Sequence, residues 1–209
     1  MINRPRRNLI LIYLLAFNYS LSAEPFSLKN DTLGMSLSEF QNKYKRAVPT
    51  HNQSAPYCTG EFTEIAKAMS EEIWHFNAGI IHCTTHFGFE YARKLGPSIV
   101  NEKVKSLTHH FVDNKLFKIT ALLNHNSFHV VHLALSEKYG NPNDASRTTY
   151  TNSIGVKVSG LTSVWVNKDS KITITERYGM IDTSKLEYEH KSLSELVASR
   201  KPAPYKGDI

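Results

Sequence analysis

Ten histidines and two cysteines are the residues of this chain whose side chains could carry chemistry. His82 and His86 stand four apart in HCTTH. On a helix that spacing would suit a zinc ion, but the glutamate of the HExxH metalloprotease motif is missing. On a strand, two residues four apart are separated by about 13 Å, too far to share a metal without other ligands. His125, His129 and His132 are spaced four and three. They line one helical face only if the helix begins at Asn124, and could then bind a metal or sense pH. An N-cap at Asn126 or Ser127 instead leaves His125 outside, and the other two become a polar flank. His109 and His110 are neighbours on a strand, so they point to opposite sides, one packed and one exposed. Cys58 and Cys83 form an even pair, which reads as a disulfide in an oxidising compartment. A cysteine–histidine nucleophile would need one of those thiols free. There is no GxSxG elbow, no phosphate-cradling glycine loop and no SxxK. We therefore assign no catalytic, cofactor-binding or metal-ligating residue, and lean against an enzyme. The one assigned pair is the disulfide Cys58–Cys83.

Charge and hydropathy place the chain outside the cytoplasm. Arg4, Arg6 and Arg7 precede an apolar run from Leu9 to Phe17, and small residues follow from Ser20 to Ala23. That order of charge, apolar core and cleavage site is a secretory signal peptide over residues 1–23, cut after Ala23 or Ser22. The apolar run is shorter than the roughly 18–20 residues a bilayer span requires. No cysteine lies near the cut to take a lipid. Losing three arginines from 25 basic residues leaves 22 against 19 acidic ones, and so mild an excess points away from nucleic acid. Residues 24–209 are enough for a single domain with one sizeable core.

The elements that must position these residues are legible from capping and periodicity. TLGMSLSEFQNKY, from Thr32 to Tyr44, holds a capping box, with Ser36 as N-cap and Glu39 three residues on. Met35 and Phe40 fit a hydrophobic staple, and Leu37, Phe40 and Tyr44 share one face. Residues 72–90 read as a hairpin turning near Asn77-Ala78-Gly79. In its second arm Ile81, Cys83, Thr85, Phe87 and Phe89 point inward, and His82, Thr84 and His86 outward. Residues 103–123 read as a second hairpin. A three-residue loop, Asp113 to Lys115, aligns Leu107, His109 and Phe111 with Phe117, Ile119 and Ala121, which a two-residue loop would not. Ser127 to Tyr139 is a helix with Phe128, Val131, Leu135 and Tyr139 buried, ended by Gly140 and Pro142. Residues 141–155 read as a polar loop, exposed and mobile from Ser146 to Ser153. Leu161 to Arg177 is a third hairpin turning at Asn167 to Ser170, with Trp165, Ile172 and Ile174 inside. A strand over 186–190 and a helix over 192–200 follow, the helix with a second capping box, Ser192 and Glu195.

Adjacent hairpins with helices between them predict an α+β fold, an antiparallel sheet of several hairpins packed by two or three helices. Residues 32–123 and 124–200 could be two helix-plus-sheet subrepeats. The sequence of a capped LGMSL helix, FVDNKLFKIT (Phe111 to Thr120), a helix ending in KYGNP (Lys138 to Pro142), VWVNKDSKITIT (Val164 to Thr175) and LEYEH resembles a group of small exported bacterial proteins. These are built like the β-lactamase inhibitor protein and the SmpA/OmlA outer-membrane assembly lipoproteins. The resemblance implies a helical segment on a curved antiparallel sheet, sometimes in tandem. It also implies a protein-binding or envelope-associated role for an open sheet face. The lipoproteins' lipidated cysteine is absent here, and no binding residue of the inhibitors can be matched to a position in this chain. Tyr57, Trp74, Phe76, Phe87, Phe89, Tyr91 and Trp165 are the aromatic candidates for such a face. An exported protein that binds metal, or hydrolyses a substrate with its histidines, is the alternative. The expected location is periplasmic or secreted, with a partner in the envelope or outside the cell and no transmembrane segment after cleavage. Mass spectrometry of the protein isolated from its host should find a chain beginning at Glu24 or Ala23 and lighter by two hydrogens than the dithiol. An intact Met1 with both thiols reduced would contradict export.

Overall fold

A computed structural model describes residues 24–44, 57–58, 75, 77–85, 98–151 and 155–201. The fold is α+β. A short hairpin, β1 (Ser27–Leu28) and β2 (Asp31–Thr32), leads into helix α1 (Leu37–Tyr44). β3 (Tyr57–Cys58), β4 (Ile80–Thr85), β5 (Ser98–Ile99), β6 (Glu102–Val112) and β7 (Lys115–Asn124) follow. A 3-10 turn, His125–Ser127, opens helix α2 (Phe128–Tyr139). Strands β8 (Asp144–Thr151), β9 (Lys157–Val166), β10 (Ser170–Thr175) and β11 (Thr183–His190) lead to helix α3 (Lys191–Arg200). The sheet is antiparallel in the order β3-β4-β6-β7-β11-β10-β9-β8, with β5 added beside β6. Its two halves, β3-β4-β6-β7 and β11-β10-β9-β8, join at the β7–β11 seam.

Both hydrogen bonds of the first capping box form. The Ser36 amide donates to Glu39 Oε2 at 2.7 Å, and the Glu39 amide to Ser36 Oγ at 3.1 Å. The Ser36 amide and the Ser36 hydroxyl, both donating to Oε2 at 2.7 Å, hold the Glu39 carboxyl below its usual range. Met35, Leu37, Phe40 and Tyr44 all join the main core, which covers the inner face of the sheet. The stripe Phe128, Val131 and Leu135 of α2 buries there too, with Tyr139 at its edge. Gly140, at φ +81°, ends the helix and donates to the Ser136 carbonyl. Cys58 and Cys83 stand directly opposite on β3 and β4, are bonded, and lie in this core. Trp165, Ile172 and Ile174 face inward as expected.

Four expectations change. The turn after β6 holds two residues, Asp113 and Asn114, at φ 46° and 60°, and Val112 faces Lys115. A bulge between the pairs His110/Lys118 and Phe111/Leu116 then inserts one extra residue, Phe117. Leu116, Ile119 and Ala121 therefore share the inner face, while Phe117 turns outward under α3 with Ile80, Val112 and Val197. Next, the described residues just before β4 form no hairpin arm. His75 and Asn77 are helical, and β4 pairs with β3 and β6 instead. Phe87 and Phe89 lie outside the described residues, as does His86. The expected loop over 141–155 contains an ordered edge strand, β8, paired along eight residues with β9. Finally, the second capping box does not form. β11 runs straight into α3, the Lys191 amide donates to the Asp169 carbonyl, and His190 rather than Ser192 is the N-cap.

One buried polar cluster holds the chain's first segment to the sheet. Asp31 is 1% exposed, beneath α1. Its carboxylate accepts from Lys43 Nζ, from Tyr44 Oη at 2.7 Å and from His109 Nε2 at 2.9 Å. Burial would push this carboxyl up, but the bonds from His109, Lys43 and Tyr44 outweigh it and keep the group ionised. Toward this carboxylate His109 Nε2 is the donor. The His109 ring packs 4.6 Å from the Phe40 ring. Asp31→Asn removes the charge while keeping the size, and leaves Lys43 and His109 facing a neutral amide. A loss of about 3 kcal/mol of unfolding free energy is expected, read from urea denaturation. An unchanged midpoint would show that the cluster contributes nothing net.

Candidate interaction surface on the outer sheet face

Strand alternation puts polar residues on the face opposite the main core. α3 covers one end of that face through Leu193, Leu196 and Val197, and Arg200 fixes it there with two bonds to Asp113 at 3.0 and 2.6 Å. Beyond α3 the register draws rows across the strands. One row runs His82, His110, Lys118, Glu189, Lys171 from β4 to β10. The next runs Thr84, Thr108, Thr120, Glu187, Thr173.

The charges in these rows are paired with one another. Lys118 Nζ lies 2.6 Å from Glu187 and 3.3 Å from Glu189. Lys171 reaches Glu189 at 2.7 Å, and Lys185 reaches Glu187 at 2.8 Å. Burial works against the Lys118 charge, but Glu187 and Glu189 outweigh it and raise its pKa. Burial would likewise raise the Glu189 carboxyl, and Lys171 with Lys118 bring it below its usual range. At the head of the row, His82 Nδ1 and His110 Nδ1 are 2.8 Å apart, and His110 Nε2 meets Thr120 Oγ1 at 3.1 Å. The His75 ring is 5.1 Å from that of His82. Burial, with His75 nearby, lowers the His82 pKa from 6.5 to about 4. Burial also carries His110 well below 6.5, with His82 and Lys118 adding repulsion.

These placements separate the sequence candidates. His82 pairs across strands with His110, a partner invisible to a search along the chain. His110 is half-buried, where an exposed residue was expected. His109 is the packed member of its pair, on Asp31. His125, His129 and His132 do not converge. His125 turns to the Glu176 carbonyl and Arg177, His129 is exposed, and His132 Nε2 meets Ser163 Oγ at 3.0 Å. Burial lowers the His132 pKa, with His129 adding to the effect. Ser163 is fully buried beneath α2, so that serine–histidine contact braces the helix and offers no accessible nucleophile. A neutral His110 of depressed basicity is a poor base toward Thr120 near neutral pH. Among the described residues, no group of three or more His, Cys, Asp or Glu could hold a metal ion. Trp165 is 1% exposed and donates Nε1–H to the Gly140 carbonyl at 2.8 Å, so it belongs to the core. The side chains of Tyr57, Trp74, Phe76, Phe87, Phe89 and Tyr91 lie outside the described residues.

The sheet ends at β8, which sequence reasoning took for a loop. Every described side chain from Asp144 to Thr149 is exposed, on both faces. Its signal was there in Thr148, Thr149, Tyr150 and Thr151, residues that favour strands. Comparison of the chain with family models, with curated proteins and with solved structures gives no match.

His82 and His110 bind protons more readily in the unfolded chain. Stability from this pair is thus fully present above pH 6.5 and is lost as pH falls through about 4. The thermal midpoint should drop across that window, and His82→Asn should flatten the drop. A variant with an unaltered pH profile would show that the pair does not titrate as described.

Proposed function

We propose that this chain is a binding module of an oxidising compartment, which meets a protein partner through the open side of its sheet. The disulfide supports such a compartment. So does the arginine-led apolar leader of residues 1–23. The chain is tied down from the residue after the expected cut, since Asn167 Nδ2 donates to the Glu24 carbonyl at 3.0 Å.

The observation that carries the reading is β8. An edge strand whose side chains from Asp144 to Thr149 are all exposed gains almost nothing from burial. A two-stranded ribbon is marginal in water by itself. Natural edges are usually blunted by proline, charged side chains (lysine above all) or shortness. β8 is eight residues long, contains neither proline nor lysine, and carries its two charges, Asp144 and Arg147, in its first half. Its outer row of N–H and C=O groups suits strand addition by an extended segment of a partner, with main-chain bonds giving affinity. The paired charges of the neighbouring rows would then contribute register and selectivity more than energy.

The test places a lysine on the edge. Thr149→Lys is exposed and should change stability by less than about 0.5 kcal/mol. Immobilised wild-type protein and this variant are challenged with the same envelope extract. Wild type should retain a discrete partner, and the variant should retain at most one fifth as much at equal circular dichroism. Equal retention by both, or none by either, would remove the edge-strand reading.

A further inference from the structure

Three apolar side chains stand in solvent on the connection between β10 and β11. Tyr178 is 45% exposed, Met180 72% and Ile181 51%. The connection is a built turn. The Tyr178 amide donates to the Thr183 carbonyl at 2.8 Å, and the Thr183 amide returns to Met180 at 3.2 Å. Gly179 supplies the positive φ, +68°, between them. Arg177 Nη1 donates to the Ile181 carbonyl at 2.6 Å, and Arg177 Nε to Ser159 on β9 at 3.2 Å. Folding thus spends hydrogen bonds on holding an apolar crown away from the core, a pattern that marks a contact surface.

The crown has a basic collar. Lys185 Nζ lies 3.8 Å from the centroid of the Tyr178 ring. Lys105 reaches Thr183 Oγ1 at 2.7 Å and Asp182 at 3.1 Å. Arg177 completes it, and the contact to Ser159 places the start of β9, with exposed Val156 and Lys157, at the same end of the sheet. Of these four cations, Lys105 is paired with Asp182 and Lys185 with Glu187 at 2.8 Å, which leaves Lys157 and Arg177 without a carboxylate among the ion pairs of the described residues.

We propose that this end of the molecule docks on an anionic lipid surface. Met180 and Ile181 enter the acyl boundary, Tyr178 sits at headgroup level braced by Lys185, and Lys105, Lys157 and Arg177 face the phosphates. A protruding tip suits a soft bilayer better than a pocketed protein surface. An aromatic ring with an ammonium over it matches the interface, where one end is apolar and the other wet. No helix of the described residues is long and apolar enough to cross a membrane, so the attachment proposed is peripheral. It uses the turn and collar rather than the β8 edge, and stands without the partner reading above.

Vesicle co-sedimentation tests it, with the full-length gene expressed in its host and the amino terminus of each preparation matched by mass. Vesicles of phosphatidylcholine alone are compared with vesicles containing 30% phosphatidylglycerol, an amount chosen on the order of the anionic content that attracts basic segments. Wild type should bind the anionic vesicles, less so at high salt, and the neutral ones weakly. Met180→Ser with Ile181→Ser should bind roughly tenfold more weakly. As a second readout, Met180→Trp should shift its emission to the blue on anionic vesicles. Equal binding by wild type and the double variant, binding blind to lipid charge, or an unshifted tryptophan would overturn the proposal. So would self-association in the absence of vesicles that the double variant abolishes, because the occupant would then be a second copy of the chain.

Discussion

The register of β7 is the constraint on which the rest of the sheet depends. This strand pairs with β6 on one side and β11 on the other, so it joins the α1 half of the molecule to the α2 half. A slip of one residue would send Leu116, Ile119, Ala121 and Leu123 to the outer face and Lys118 into the core. The tight Asp113-Asn114 turn sets one phase of pairing, and the bulge at Phe117 switches to the other within a few residues. Both faces are served by that switch. Leu116 and Ile119 remain in the main core, while Phe117 becomes the floor for α3.

From the β7–β11 seam the two faces diverge in character. The inner face is continuous apolar packing under α1 and α2, with the Asp31 carboxylate as its buried charge, tolerated because three donors meet it. The outer face has α3 at one end, paired charges across the middle and neutral histidines at the β4 side. Lys118 draws Glu187 and Glu189 together across the seam itself. Charges so engaged with each other give a surface that is ordered and wettable.

The two regions proposed for recognition are those where folding gains least. Among the described strands β8 pairs with β9 only, and the 178–181 turn holds apolar groups in water. Both lie on the second half of the chain, away from the disulfide. The two proposals are compatible, because the turn and the β8 edge are separate parts of the same sheet. Rigidity comes from the seam, and recognition from the margins.

Much of the fold was legible along the chain because its causes are local. The first capping box, the stripe and C-terminal glycine of α2, the Asn167–Ser170 turn and the cysteine pair each rest on residues a few positions apart or on simple parity. The second capping box has the same residue pattern as the first and fails, because β11 feeds α3 without a linker and Asp169 captures the Lys191 amide. The candidate surfaces were much less legible. His82 meets His110 because β4 and β6 lie side by side, Asp31 meets His109 across 78 positions, and no spacing rule reaches that far. By itself the sequence determined the kinds of element, the apolar faces and the oxidised pair, since those follow from periodicity and side-chain chemistry. Only tertiary structure decided which strands are neighbours, which histidines are neutralised by burial, and that β8 is an edge rather than a loop, because each depends on contacts between segments distant in the chain.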